Sequence, residues 1–143
     1  MKWLLDTCVI SELVSKRPHN AVIDWIDSIE AYNFYLSVIT VGEIAKGIEK
    51  LPQSKGKREL HRWLTEDFLL RFDGRILVLD VDVLLVWGQL TGRLESKGKK
   101  MLAIDSLIAA TALHWNLTIV TRNVADYSHS GIPIFNPWDA EKQ

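Results

Sequence analysis

Three carboxylates stand in segments that are otherwise almost free of charge. Asp6 closes the apolar run Trp3-Leu4-Leu5, Glu43 follows Thr40-Val41-Gly42, and Asp105 lies within Leu102-Ala103-Ile104-Asp105-Ser106-Leu107-Ile108-Ala109-Ala110-Thr111-Ala112. A carboxylate buried among apolar side chains is costly unless its charge is compensated. Three that met at one place would share a cation, and a hard divalent ion such as Mg²⁺ takes oxygen ligands. A further acid, Asp126, follows in the turn-rich Thr121-Arg122-Asn123-Val124-Ala125-Asp126-Tyr127.

These residues can meet only if the elements around them bring them together. Lys2–Asp6 reads as a short buried strand and Cys8–Val14 as the helix after it. Asn20 is placed to cap a second helix, in which Val22, Trp25, Ile26 and Ile29 follow the helical core period. Phe34–Ser37 reads as a strand, Thr40–Lys50 as a helix and Leu51–Lys57 as a loop containing Pro, Ser and Gly. Leu60, Trp63, Leu64 and Phe68 mark another amphipathic helix. Arg75–Leu79 reads as a strand, and Val81–Ser96 as a helix with Leu84, Trp87, Thr91 and Leu94 inward, stopped at Gly98. Ile104–Trp115 is a helix, Thr118–Thr121 a strand and Pro133–Phe135 a last short strand. Strands alternating with helices predict an α/β fold with a parallel sheet covered on both faces. Ligands of such sheets bind at the carboxyl ends of the strands. Asp6, Glu43 and Asp126 all follow strands, so they gather at that rim.

The 143 residues are enough for one domain, spanning 1–143, that buries roughly 68–70% of its unfolded surface. Hydrophobic residues are 48% and charged residues 24%, an ordinary globular composition. No apolar stretch approaches the ~20 residues of a membrane helix, and Asp6 interrupts the N-terminus before a signal peptide could form. With one cysteine, Cys8, there is no internal disulfide, and a reducing cytoplasm is the expected location. A net charge of −1 gives no general pull on nucleic acid, so any such binding needs local patches.

Each acid also has a purely local explanation. Asp6 can cap the helix that follows it. Thr40-x-x-Glu43 has the spacing of a capping box. Asp105 near a helix start suits the dipole, and Asp is common in loops like that of Asp126. The dense basic runs are Lys55-Gly56-Lys57-Arg58, His61-Arg62 and Arg93 with Lys97-Gly98-Lys99-Lys100. They suit either RNA phosphates or plain solvation. Arg122 is the better single candidate for a phosphate contact, because it sits in the rim loop. Thr7 can donate a hydrogen bond to Asp6 or to a phosphate. Trp25, Trp63, Trp87 and Trp115 fall at packing positions, as core or dimer contacts, and Cys8 reads as a small core residue. His19, His61, His114 and His129 lack zinc-ligand spacing.

Leu5-Asp6-Thr7-Cys8-Val9-Ile10-Ser11-Glu12, Thr40-Val41-Gly42-Glu43-Ile44, Asp105-Ser106-Leu107-Ile108-Ala109-Ala110-Thr111-Ala112 and Thr121-Arg122-Asn123-Val124-Ala125-Asp126-Tyr127 together resemble the motifs of PIN-domain ribonucleases. The resemblance is closest to the VapC-type toxins of prokaryotic toxin–antitoxin pairs. It covers essentially the whole chain, to Phe135-Asn136-Pro137-Trp138. It implies a single PIN-like domain and an endoribonuclease whose Asp6, Glu43 and Asp105 surround Mg²⁺ or Mn²⁺. Some relatives carry an acid where Asn123 stands and others use the acid at Asp126, so both are candidates for completing the site. The resemblance further implies a homodimer and a co-transcribed antitoxin whose tail blocks the site. Phosphodiester hydrolysis calls for such a cluster, since it needs a polarised phosphoryl oxygen, an activated water and a stabilised leaving oxygen.

Two rival readings remain at this level. Leu77-Val78-Leu79-Asp80-Val81-Asp82-Val83 fits the strand and D-x-D nucleophile of haloacid-dehalogenase-type phosphatases, with Asp80 and Asp82 in the reacting roles. An inert binding module of the same fold would keep the acids as caps alone.

Overall fold

The computed structural model of the chain describes residues 1–142. Each strand alternates its side chains between two faces, and this sends consecutive residues into two separate cores. In β1 (Trp3–Leu5), Leu4 and Leu5 are both buried but join opposite clusters. The chain then runs through α1 (Thr7–Leu13), α2 (Asn20–Asp27), β2 (Phe34–Ser37) and α3 (Val38–Glu49). Next come α4 (Lys55–Trp63), a π-helical turn at Leu64–Phe68, α5 (Leu69–Arg71) and β3 (Ile76–Leu77). It ends with α6 (Val81–Ser96), α7 (Ala103–Trp115), β4 (Thr118–Val120), α8 (Val124–Tyr127), β5 (Ile134–Phe135) and a 3₁₀ turn at Pro137–Lys142.

The five strands form one parallel sheet in the order β3-β2-β1-β4-β5. Trp3 lies opposite both Phe34 and Thr118, which makes β1 the centre. On one face Leu4 and Ile119 pack with Leu90 and Leu94 of α6 and Ile108, Ala109 and Ala112 of α7. The small residues of α7 let it lie close to the sheet. On the other face Leu5, Leu36 and Val120 pack with Val9, Ile10, Val22 and Phe68. There Trp25 meets Trp3 at 4.9 Å and Phe135 at 4.7 Å, and Trp63 stacks on Phe68 at 4.8 Å. The expected parallel sheet covered on both faces is what the chain forms.

Several boundaries differ from the sequence reading, each for a local reason. His19, not Asn20, caps α2: its Nδ1 accepts the Ala21 N–H at 3.2 Å. Helix α3 starts at Val38 because Ser37 caps it, accepting the Ile39 N–H at 3.1 Å. Thr40 therefore lies inside the first turn, buried, and no capping box forms with Glu43. Ser54 caps α4 through the Lys57 N–H at 3.1 Å, so Lys55–Lys57 are helical rather than loop. The strand expected over Arg75–Leu79 shrinks to Ile76–Leu77, and the Arg75 guanidinium donates to the carbonyls of Ala31, Phe34 and Arg71. Helix α6 buries Val83, Leu90 and Leu94, whereas Leu84 is 44% exposed. It ends as expected at Gly98, whose φ of 72° and bonds from Gly98 N to Glu95 O and Lys99 N to Leu94 O form a Schellman turn. Trp115 is exposed and Trp87 donates its indole N–H to Ser106 Oγ at 2.9 Å.

Candidate active site

The strand order reverses direction between β1 and β4. The chain steps from β1 to β2 and β3 on one side, then returns through α6 and α7 to add β4 and β5 on the other. A crevice opens where two connections diverge like this, at the carboxyl ends of the strands. Asp6 is the residue after β1, and Thr121 the residue after β4.

Asp6 is almost buried and strongly held. Its Oδ1 accepts the Thr7 N–H at 2.8 Å, which also caps α1, and its Oδ2 accepts the hydroxyls of Thr121 at 2.8 Å and Tyr127 at 3.3 Å. Burial pushes its carboxyl above the ordinary range; the bonds from Thr121 and Thr7 oppose that shift, and the charge of Glu43 adds to it. Glu43 sits in the second turn of α3, half-buried, where its Oε1 accepts the Thr7 hydroxyl at 2.6 Å. Thr7 has a single hydroxyl proton, and the Thr40 hydroxyl stands 3.5 Å from the same oxygen. Thr7 thus joins the first two acids, one through its backbone and the other through its side chain.

Asp105 is in the first turn of α7. Its carboxyl is pushed up to about 6, first by burial and then by the charges of Asp126, Asp6 and Glu43, with the Tyr127 hydroxyl opposing. A helix N-terminus alone would favour the charged form, so the neighbouring carboxylates and desolvation win here. Asp126 is exposed on α8, and Asn123 immediately precedes that helix, its own N–H donating to Thr121 Oγ1 at 3.0 Å. Arg122 is exposed at the same rim, with its guanidinium 5.4 Å from the Trp138 ring. The sequence reading therefore has Asp6, Thr7, Glu43, Asp105, Arg122, Asn123 and Asp126 at one rim. It passed over Thr121, Tyr127 and Thr40. Their hydroxyls were hidden because Thr reads as a strand former and Tyr as a core aromatic; the one signal was that Thr121 and Tyr127 bracket the Asn123–Asp126 segment.

The ion pairs among the described residues lie elsewhere, at Lys55–Glu59 and Arg71–Asp67. The rim acids thus have no basic side chain to compensate them, and all their donor atoms are oxygens. That set fits a hard divalent cation. Among the described residues, no three His, Cys, Asp or Glu side chains are drawn into a ready-made cage. The residues that would hold an ion are Asp6, Glu43 and Asp105, with Asp126 beside them.

The other candidates fall away from the rim. Asp80 lies beyond the edge strand β3 and caps α6, accepting the Val83 N–H at 2.9 Å. This removes the phosphatase reading, which needs Asp80 at the end of a central strand. Cys8 touches Thr121 Oγ1 at 3.5 Å, and burial pushes its thiol up, away from a reactive thiolate. Lys46, Lys57, Arg58, His61 and Arg62 line a groove of about 1020 Å³ between α3 and α4. A smaller, more enclosed apolar groove of about 690 Å³, lined by Leu13, Ile26, Trp63, Phe68 and Phe72, contains none of the rim acids.

The model of one protein family, described as PIN domain, matches residues 3–125. The chain is 39% identical over 135 residues, covering 94% of it and 97% of the relative, to "Toxin FitB" of Neisseria gonorrhoeae. The crystal structure of FitAcB from that organism superposes with a TM-score of 0.91 at 39% identity, covering 95% of this chain and 98% of that one. "VapC ribonuclease Y4jK" of Sinorhizobium fredii is 35% identical over 136 residues, 95% of this chain and 97% of the relative. A "Toxin-antitoxin complex from Klebsiella pneumoniae" gives a TM-score of 0.69 at 25% identity, over 95% of this chain and 98% of that one.

Proposed function

The chain belongs to the PIN-domain family, and on that footing we propose that it is a metal-dependent endoribonuclease acting as the toxin of a toxin–antitoxin pair. Kinship with a named toxin and a named VapC ribonuclease supports the RNA-cleaving reading. The observation that carries the mechanism is the convergence of Asp6, Glu43 and Asp126 close enough to Asp105 for their charges to bear on it, four acids from separate elements with no ion-pair partner among the described residues.

Asp6, Glu43 and Asp105 hold Mg²⁺ or Mn²⁺ in this reading. When bound, the ion supplies a Lewis acid for the phosphoryl oxygen and lowers the pKa of a bound water. Thr7 holds Glu43 through its hydroxyl and Asp6 through its N–H, fixing the two acids relative to each other. Asp126 and Asn123 stand at the exposed side of the rim, where one or the other completes the site and orients the attacking water, Asp126 as a fourth carboxylate and Asn123 as a neutral amide. Arg122, parked against Trp138, is free to reach a phosphate of the incoming RNA. Thr121 keeps Asp6 in place from the strand beside it.

A cognate antitoxin is the natural partner of such a toxin, and kinship with a solved toxin–antitoxin complex supports it. A homodimer is supported by exposed apolar side chains, Val81 and Leu85 one turn apart on α6 and Leu102 just before α7, which are 61–74% exposed. Among the described residues no helix is long and apolar enough to cross a membrane, and a cytoplasmic place of action is part of the same proposal. The test is Asp105→Asn, which removes a ligand charge and nearly keeps shape. With Mg²⁺, RNA cleavage by the purified variant should fall at least about a hundredfold, given what a lost interaction in a charged site costs, while circular dichroism stays that of the parent. Equal cleavage by the two proteins would refute the proposal.

A further inference from the structure

A carboxylate has about four lone-pair positions, two on each oxygen. In Asp6 both positions on Oδ2 are taken, by Thr121 at 2.8 Å and Tyr127 at 3.3 Å, and one on Oδ1 is taken by the Thr7 N–H at 2.8 Å. We propose that Tyr127 is a positioning residue for the metal site: its hydroxyl closes the last lone pair of Asp6 Oδ2, so that Asp6 offers a cation one lone pair of Oδ1 alone. This rests on the metal-dependent reading given above and assigns a role in it that the acids themselves do not carry.

The placement of the ring makes the hydroxyl a fixed feature of the site. Tyr127 is 1% exposed and belongs to the core cluster with Leu4, Ile108, Ile119 and Ile132. A ring packed on several sides cannot swing its oxygen away from Asp6 without opening that core. Ser130 completes the anchorage, because its hydroxyl donates to the Tyr127 carbonyl at 2.6 Å and its N–H to the same carbonyl at 3.0 Å. Asp105 also faces the Tyr127 hydroxyl. The hydroxyl has one proton, and in the structure it is donated to Asp6 at 3.3 Å.

The consequence is selectivity. Mg²⁺ demands near-ideal octahedral geometry and is content with single carboxylate oxygens, whereas Ca²⁺ accepts both oxygens of one carboxylate in a looser shell. With Oδ2 closed, Asp6 cannot chelate in that bidentate way. Removing the tyrosine oxygen reopens Oδ2 and moves the site toward Ca²⁺.

Tyr127→Phe removes that one oxygen and keeps the ring in the core. Mn²⁺ and Ca²⁺ are titrated calorimetrically into the full-length parent, Tyr127→Phe and Asp105→Asn. The parent should bind Mn²⁺, and Asp105→Asn should lose it. In Tyr127→Phe, Mn²⁺ affinity should fall roughly tenfold, the scale for losing an outer partner of a ligand, with a clearly smaller loss for Ca²⁺. Thr121→Val opens the other Oδ2 lone pair and should shift the Ca²⁺ to Mn²⁺ affinity ratio the same way, which keeps a readout if the first variant folds poorly. Parent-like affinities in folded Tyr127→Phe, or an equal loss for both ions, would overturn the role of Tyr127 while leaving the metal site standing. If the parent binds neither ion, the metal reading itself fails and this assignment falls with it.

Discussion

Asp105 makes the pH behaviour of this chain unusual in sign. Its carboxyl lies at about 6 in the folded protein, above the ordinary aspartate value of 3.8. Between those values the folded, metal-free chain binds a proton that the unfolded chain does not, so Asp105 adds stability as pH falls from about 7 toward about 4 and withdraws it as pH rises through about 6. Asp6 is shifted in the same direction. On the proposed metal-dependent reading activity runs the other way, because protons would compete with the cation for the same oxygens. Thermal melts in EDTA should therefore give a higher midpoint at pH 5.5 than at pH 7.5, while cleavage in limiting Mg²⁺ falls below about pH 6 and recovers partly with more Mg²⁺. A melting midpoint that drops on acidification over that range would contradict the coupling. Glu43 can be judged separately. Glu43→Gln retains an acceptor for Thr7 and loses only charge, so stability should stay near the parent's while Mn²⁺ affinity and cleavage drop by roughly tenfold or more. Parent-like cleavage would leave Glu43 a bystander.

At the scale of elements, what positions the acids is where each helix starts. Ser37, fully buried, turns the chain from β2 into α3 and so sets the angle at which Glu43 arrives at Thr7. Ser37→Ala should cost on the order of 1 kcal/mol from the lost cap, lowering the melting midpoint by about 3 °C for a chain of this size. It should also reduce cleavage, since Glu43 rides on that helix. A variant of unchanged stability would show that the hydroxyl bond to Ile39 contributes nothing. The Thr40-x-x-Glu43 spacing had pointed to a start two residues later, because a capping box and a buried threonine look alike when only spacing is visible. The burial of Thr40 depends on α3 lying against its neighbours.

For the molecule as a whole, a net charge of −1 conceals a division between the acidic rim and the basic α3–α4 groove. A cluster of carboxylates lacking a basic partner is a good seat for an arginine, which bonds carboxylates in a bidentate way. An antitoxin tail carrying one would compete with the cation. Expression of this chain alone should halt growth, co-expression with the small protein from the adjacent gene should restore it, and the purified complex should cleave RNA poorly until the partner is removed. Growth that continues normally with active enzyme present would point to a housekeeping nuclease. EDTA should abolish cleavage by the free chain at neutral pH.

The amino-acid sequence by itself determined the order of the strands and the longer helices and the parallel sheet, because those depend on local periodicity: the apolar triplet Trp3–Leu5, the β-branched triplet Thr118–Val120, helical spacing in α2, and glycine at Gly98, where the end of α6 needs positive φ; the one-turn helix α8, over Val124–Tyr127, is too short to leave a period and reads as a turn-rich loop. It also determined which acids stand at the rim, since a carboxylate in an apolar run is visible without any structure. Tertiary structure alone decided how those acids are held. Thr7 and Glu43 are 36 residues apart, Asp6 and Thr121 are 115 apart, and Asp6 and Tyr127 are 121 apart. No periodicity links residues at such distances; only the return of the chain through α6 and α7, which sets β4 beside β1, brings the two hydroxyls onto Asp6. The same return places Asp105 among three other carboxylates and raises its pKa, because that shift depends on distance through space and on burial, neither of which is a property of any one segment.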